Sequence, residues 1–406
     1  MRDNTPPHPS TNIDLDEEEL IEADVIEIND PGNEEFSDED EEPILLEEID
    51  EEEERPDLRV PKRDDSDHTF ILHTSPVFCC AIHPTEDIAA TGGEDDIAYV
   101  WSMQTTEVIH KVENHKDTVI AVDFSHDGKY LATGDISGEV FVFAVNQDYR
   151  KIWEYSMGDM CWMKWHSGSH VLIAGSEAGE IYVWRIISND CKILPGAGQK
   201  CEAGELTKDG KHIFAGYGDG TIRLWDIKNS ITVFKCEPNN PISHSATVTT
   251  VSCDTEKSLF LSGSEDGAIV ISTHSGAIGI INFPDDAIER VAICPESELN
   301  IAAAATISGK ILILDLSKHS VRTTCNHIED EEEKDGITSM RWIQKEVLLC
   351  GTMRGHLLLF NGRNGERIRD LDGHAAHIYD IAYDKNKNII LSTSEDETAK
   401  VFKLTE

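Results

Sequence analysis

The ten cysteines include no C-x-x-C pair, and the chain contains no G-x-x-x-x-G-K-[ST], H-E-x-x-H or G-x-S-x-G segment. The first absence speaks against a zinc knuckle or a dithiol redox centre. The others speak against a phosphate loop, a metalloprotease helix and a hydrolase nucleophile. No apolar run approaches the ~18 residues a membrane helix needs, and no apolar signal core follows Met1-Arg2-Asp3-Asn4. Scattered thiols without such signals are expected to be reduced, in the cytosol and also the nucleus. Cys79 and Cys80, being adjacent, should point to opposite faces of a strand.

Positive charge is also scarce. The 406 residues carry 35 Lys and Arg against 78 Asp and Glu, a net charge of −43. Residues 1–67 alone hold 28 acids and 5 bases, or −23, and Phe36 is their one aromatic. Such a surface lacks the cation clusters that nucleic-acid phosphates or an anionic membrane would require. Its natural complement is basic protein.

The composition of residues 1–67 predicts a disordered acidic N-terminal tail, with the folded domain spanning 68–406. A plain solvating role competes there with two sharper ones. Apolar islands at Leu20-Ile21, Val25-Ile26 and Ile44 to Leu46 could dock weakly on a basic partner. Ser37, ahead of Asp38-Glu39-Asp40, suits an acid-directed kinase.

What the chain does have is a repeat. D-D-I-A-Y-V-W ends at Trp101, S-G-E-V-F-V-F at Phe143, A-G-E-I-Y-V-W at Trp184 and D-G-T-I-R-L-W at Trp225. D-G-A-I-V-I-S ends at Ser272, S-G-K-I-L-I-L at Leu314, R-G-H-L-L-L-F at Phe360 and D-E-T-A-K-V-F at Phe402. The spacing of about 41–47 residues is that of one propeller blade, and each copy reads as a turn followed by an alternating strand. A second strand ending in a small-residue pair and a third of V-x-x-V-x-F character precede each copy. The pattern resembles the WD40 family, although only Trp225-Asp226 and Gly373-His374 are literal family dipeptides. The fold class expected is therefore all-β, an eight-bladed WD40 β-propeller. The chain ends directly after the third strand of copy eight, so residues 69–72 are expected to pair onto that blade and close the ring.

His115, His244 and His374 precede innermost strands, and the resemblance implies structural hydrogen-bonding roles for them. In the last copy it groups His374, Ser392, Asp396 and Phe402. In the fifth it groups His244, Ser262 and Asp266, with Ser272 standing where an indole would donate, so that blade should be weaker. Gly216-Tyr217-Gly218-Asp219-Gly220 reads as a turn, and Trp162 and Trp165 as blade core. Neither metal nor cofactor is expected, and catalysis is the minority reading.

Propellers bind with a rim of loop residues at repeated positions. The residue two before each turn glycine (or its equivalent) is Glu94, Ile136, Glu177, Gly218, Glu265, Ile307, Met353 or Glu395. The matching inner-strand positions include Phe78, Asp159, Glu202, Glu289 and Tyr379, with Lys200 as the basic exception. The loop Glu329 to Asp335 could extend the patch. An acidic chain has acidic rims by default, yet 30 Lys and Arg lie beyond residue 67 and almost none falls here. Phe78, Glu94, Asp159, Glu177, Glu202, Glu265, Glu289, Tyr379 and Glu395 are therefore the candidate partner-binding residues, an acidic funnel for a Lys- or Arg-rich segment.

Three stretches are similar to the angio-associated migratory cell protein family: Val77-Phe78-Cys79 with Thr91 to Asp96; Asn114 to Asp117 with Phe124 to Asp127 and Ala132 to Asp135; and Gly158-Asp159 with Trp162-Met163 and Trp165-His166. Val25-Ile26-Glu27 and Asp30-Pro31-Gly32 in the leader also fit. The resemblance implies two stories. A fungal relative is a chaperone for the basic N-terminus of a newly made large-subunit ribosomal protein, supporting ribosome biogenesis. Animal members are linked to cell migration and angiogenesis, which suits a signalling or cytoskeletal scaffold. Their heparin-binding segment has no basic counterpart in residues 1–67. Escort of a basic ribosomal protein by a monomer is the expectation, and a histone is the alternative basic cargo.

Overall fold

The computed structural model describes residues 59–404 except 197, 255–257 and 326–334. The disordered-tail reading of residues 1–58, the Ser37 site and most of the acidic loop before Asp335 lie outside these described residues.

The described chain forms eight four-stranded antiparallel sheets. Blade 1 illustrates the plan, running from an inner strand Val77–Ile82 through Ile88–Gly93 and Ala98–Ser102 to an outer strand Val108–Val112. Inner strands of blades 2 to 8 begin at Val119, Met160, Ala203, Val248, Ile288, Ile337 and Ile378. One or two residues before each third strand the backbone is left-handed: at Asp96, Gly138, Gly179, Gly220, Gly267, Gly309, Gly355 and Glu397. Glycine takes this conformation without strain, which is why six of the eight repeats carry it. At Gly138 space adds a second reason, because a Cβ would lie 1.8 Å from the Gly158 carbonyl oxygen.

Second and third strands are apolar on both faces because each blade is sandwiched between two others. Tyr99, Val100 and Trp101 are all buried, whereas the outer strand Val108–Val112 is largely exposed. The core is accordingly eight interblade layers rather than one centre. Cys79 packs toward blade 2, near the Val119 carbonyl, and Cys80 toward blade 8, near the Leu391 carbonyl, the opposite faces expected. All ten cysteines are free.

Ring closure occurs on blade 8, with the N-terminal strand as its outer member. The strand is His68–Phe70, with His68 opposite Val401 and Phe70 opposite Ala399, and not 69–72. Ile71 and Leu72 are exposed (69% and 48%) because the chain must leave the sheet to deliver His73 to blade 1. Phe70 is buried and stacks on Trp101 of blade 1, with ring centroids 4.7 Å apart.

Among the described residues, contacts to the folded body begin at Arg59, nine residues before the expected boundary. The Arg59 amide donates to the Ala375 carbonyl (2.8 Å), and its guanidinium ion-pairs with Asp372 and donates to the His374 carbonyl (2.9 Å). The Lys62 amide donates to Asp372 (3.0 Å), and the buried Lys400 ammonium bonds Asp64 at 2.7 Å. Composition alone could not separate these charges from those of residues 1–58, because each one matters only through a partner some 300 residues away.

Candidate functional site

Eight equivalent hydrogen bonds build one face of the ring. The amides of Glu94, Ile136, Glu177, Gly218, Glu265, Ile307, Met353 and Glu395 donate to the carbonyls of Pro76, Thr118, Asp159, Lys200, Thr247, Ala287, Gly336 and His377, at 2.9–3.0 Å throughout. Each bond ties the turn between the second and third strands to the start of the inner strand in the same blade. The two sets of positions chosen from the repeat thus share one rim.

A bulge then turns a side chain toward the mouth. In blades 1, 2, 3, 5, 6, 7 and 8 the second residue of the inner strand drops out of the ladder: Phe78, Ile120, Cys161, Thr249, Glu289, Thr338 and Tyr379. In blade 4 Glu202 occupies this place, immediately before the strand. A bulge re-aims a side chain that regular pleating would direct elsewhere.

The nominated residues fall into two groups and one outlier. Phe78 and Tyr379 meet across the seam between blades 1 and 8, ring centroids 4.5 Å apart, and His377 stacks on Tyr379 at 4.5 Å. Burial, then the charges of Glu395 and Glu94, raise the Tyr379 hydroxyl above its usual range; the two acids stand on the turns bonded to Pro76 and His377. Glu289 belongs to the same side, lining a cavity of about 230 Å³ with Arg290, Ile307, Met353, His377 and Tyr379. The second group surrounds Cys161. Burial first, then Glu202, Glu177 and Asp159, push that thiol up to about 12 against the pull of Lys200. Glu265 stands on the blade 5 turn, its amide bonded to the Thr247 carbonyl.

Two of the acids are partly spent within the molecule. Glu202 ion-pairs with Lys200 at 3.3 Å and Glu289 with Arg290 at 3.8 Å. Among the described residues, Glu94, Asp159, Glu177, Glu265 and Glu395 form no ion pair and are free to meet an external cation. Arg290 was missed in the sequence because it lies one residue past the mouth position. The apolar share of the rim was missed as well. Ile136, Ile307 and Met353 are 41%, 54% and 49% exposed, visible in the repeat only as places where acid fails to appear.

The histidines form no constellation on this rim. His374 Nδ1 lies 2.9 Å from Asp396 and its Nε2 2.8 Å from the Ser392 hydroxyl. His115 bonds Thr133 (2.8 Å) and Asp135 (3.0 Å), an acid placed two residues earlier than in the other blades. His73 completes a set that sequence reading passed over: 3.0 Å to Asp95, 3.0 Å to Thr91, whose hydroxyl also accepts from the Trp101 indole at 3.3 Å. The signal was available, since His73 precedes Thr91 by the same 18 residues that separate His115, His244 and His374 from their hydroxyl partners.

Eight such four-stranded blades, buried histidine sets complete in blades 1, 2 and 8, and a rim bulged in seven blades define a WD40 β-propeller, a non-catalytic protein-interaction module. The WD40 family pattern (WD domain, G-beta repeat) matches residues 65–102, 106–143, 201–226, 236–271 and 365–403. The chain belongs to the angio-associated migratory cell protein family. The human and dog proteins of that name are each 33% identical to it over 358 residues, covering 84% of this chain and 80% of theirs. A more distant relative is the ribosome assembly protein SQT1 of Saccharomyces cerevisiae, 22% identical over 363 residues, 80% of this chain and 81% of that one. Among solved structures, Sqt1 of Chaetomium thermophilum bound to the N-terminus of the ribosomal protein L10 superimposes with a TM-score of 0.76. It is 20% identical and covers 84% of this chain and 100% of that one, a likeness of fold.

Proposed function

We propose that this propeller captures a basic N-terminal segment of a large-subunit ribosomal protein on its acidic rim and escorts it, as a monomer, in support of ribosome biogenesis. The observation that carries the reading is the seam cluster, where the turns of unpaired Glu94 and Glu395 are bonded to Pro76 and His377 at the Phe78–Tyr379–His377 stack. Carboxylates without internal partners steer a cationic segment and hold its charged groups, while an aromatic surface takes the aliphatic stems of Lys and Arg. The exposed Ile307 and Met353 offer contacts for an apolar residue between the cations. The complex of Chaetomium thermophilum Sqt1 with the L10 N-terminus supports the choice of cargo. Ten free cysteines suit the cytosol or nucleus, where such cargo is made and assembled.

The test is calorimetric titration of a peptide from the basic N-terminus of ribosomal protein L10, with a histone-tail peptide alongside. Binding should weaken steeply with salt, and the ribosomal peptide should bind more tightly than the histone peptide. A single reversal such as Glu94→Lys should cost about 1 kcal/mol, since an exposed pair is screened. Glu94→Lys with Glu395→Lys should cost more than tenfold in affinity, mainly through the on-rate, whereas Tyr379→Ala should act mainly on dissociation. Undiminished binding by the folded double reversal would exclude the rim.

A further inference from the structure

The end of the ring away from the rim carries a site of the opposite sign. Inner strands begin at the rim, so the turns after inner and third strands gather at the far end. There, between blades 3 and 4, a cavity of about 690 Å³ opens. Its cations are Arg185, Lys192, Lys211 and Lys228, and its acids are Asp190 and Asp226. Both acids already serve their own turns: Asp226 accepts from the Asn229 amide and side chain at 2.9 and 2.8 Å, and Asp190 from the Ser188 hydroxyl at 2.7 Å. Arg185 and Lys228 form no ion pair among the described residues.

Two bonds across the gap set its width. Lys192 Nζ donates to the Lys228 carbonyl at 2.8 Å, and His166 Nε2 lies 3.2 Å from the Gly210 carbonyl. Between the cations, Val171, Val183 and Ile227 supply apolar lining. Residues 68–406 carry −20 (−43 less the −23 of residues 1–67), so uncompensated cations in a concavity run against the field of the body around them.

We propose that this cleft docks an acidic segment of a second protein, carboxylates meeting Arg185, Lys192 and Lys228 (Lys211 being already paired with Asp209 at 3.4 Å) and an apolar side chain resting on Val171, Val183 and Ile227. A phosphate ligand fits less well. It would need donors converging on one point, whereas these cations are spread along two blades, and it would leave the apolar lining unused. The site is independent of the basic cargo proposed for the rim and lies at the other end of the ring, so both can be filled together and the propeller can join two proteins of opposite charge.

The experiment is fluorescence anisotropy with a short labelled peptide of Asp and Glu carrying one central Leu. Arg185→Glu with Lys228→Glu should weaken binding about tenfold or more without lowering the melting midpoint or the affinity for the basic L10 peptide. Glu94→Gln with Glu395→Gln should leave the acidic peptide unaffected, so failure of one site is distinguishable from failure of the other. Equal binding by wild type and the Arg185/Lys228 variant would overturn the proposal. Tripolyphosphate binding more tightly than the peptide, and lost in the same variant, would overturn it in favour of a phosphate ligand.

Discussion

Blades 5 and 8 start from the same ingredients and end differently. Both place a histidine 18 residues before a serine and 22 before an aspartate. In blade 8 both bonds form, at 2.8 and 2.9 Å. In blade 5 the serine bond forms at 2.7 Å, but the aspartate lies 3.6 Å away and instead accepts from the Ser245 amide at 2.6 Å. His244 Nδ1 is left without a partner, and so is the buried hydroxyl of Ser272, where Trp101 donates its indole in blade 1. Blade 5 is covalently continuous, whereas blade 8 is assembled from the two ends of the described chain. The complete networks of blades 8 and 1 flank the one joint that no peptide bond holds, and continuity tolerates the incomplete one.

The seam should therefore be where the molecule breaks most easily. Removing residues 1–58 should leave the melting midpoint nearly unchanged, because the described seam contacts begin at Arg59. Removal through Phe70 takes away a buried aromatic, three strand residues and the Arg59 and Asp64 ion pairs. The loss should be at least about 4 kcal/mol, read by calorimetry. Removal through Asp65 should fall between the two, and equal midpoints for all three truncations would show that the seam is not the weak joint.

Histidine substitutions come next in size. His374→Ala strips Ser392 and the largely buried Asp396 of their partner and should cost about 3 kcal/mol; His244→Ala loses one bond and should cost about half that. Chemical denaturation of the two variants decides it, and equal losses would mean that the missing Asp266 bond has no energetic weight.

Acid should expose the same asymmetry more gently. Burial alone would raise the Asp396 carboxyl, but the His374 ring, the Thr398 hydroxyl and the Ala375 amide outweigh it and hold it at about 2. A carboxylate depressed by folding contributes stability that is whole above its unfolded pKa, near 3.8, and lost as pH falls toward 2. Hydrogen exchange at His68–Phe70 should accelerate over that window in wild type and respond less in His374→Ala. The smallest effect belongs to Ser272→Ala, which removes a buried hydroxyl that bonds nothing and should be neutral or stabilising by up to about 1 kcal/mol.

Most of the architecture is written locally and could be read there. A turn residue at positive φ followed by an apolar strand recurs at a fixed interval, so blade number, ring closure and the sixteen rim positions followed from spacing. What escaped depended on distant partners or on a broken register. His73 was passed over because it directly follows Thr69 to Leu72, read as one closing strand, although only Phe70 of its apolar residues is buried. Asp135 fills its histidine's acid position from two residues early. Arg59 and Asp64 resemble the acidic leader in composition, and nothing near them in the sequence announces that they meet Asp372 and Lys400. The four cleft cations lie at 185, 192, 211 and 228, with no visible clustering until two blades stand side by side.

The rim bulge has a consequence for how such a face can be rewritten. In a regular strand a one-residue change of register exchanges inside for outside along its whole length. Here the odd residue is absorbed at the first step, and pairing resumes undisturbed from Cys79, Ala121, Trp162, Thr250, Arg290, Ser339 and Asp380. The mouth residue therefore has no paired residue in the ladder beneath it, although the Thr249 and Thr338 hydroxyls still donate to the Gly263 and Gly351 carbonyls at 3.2 and 3.3 Å. The other five bulged positions behave as a row of interchangeable type, each reset without recasting the block that holds it, and one scaffold can be retuned from cargo to cargo while its interblade layers stay as they are.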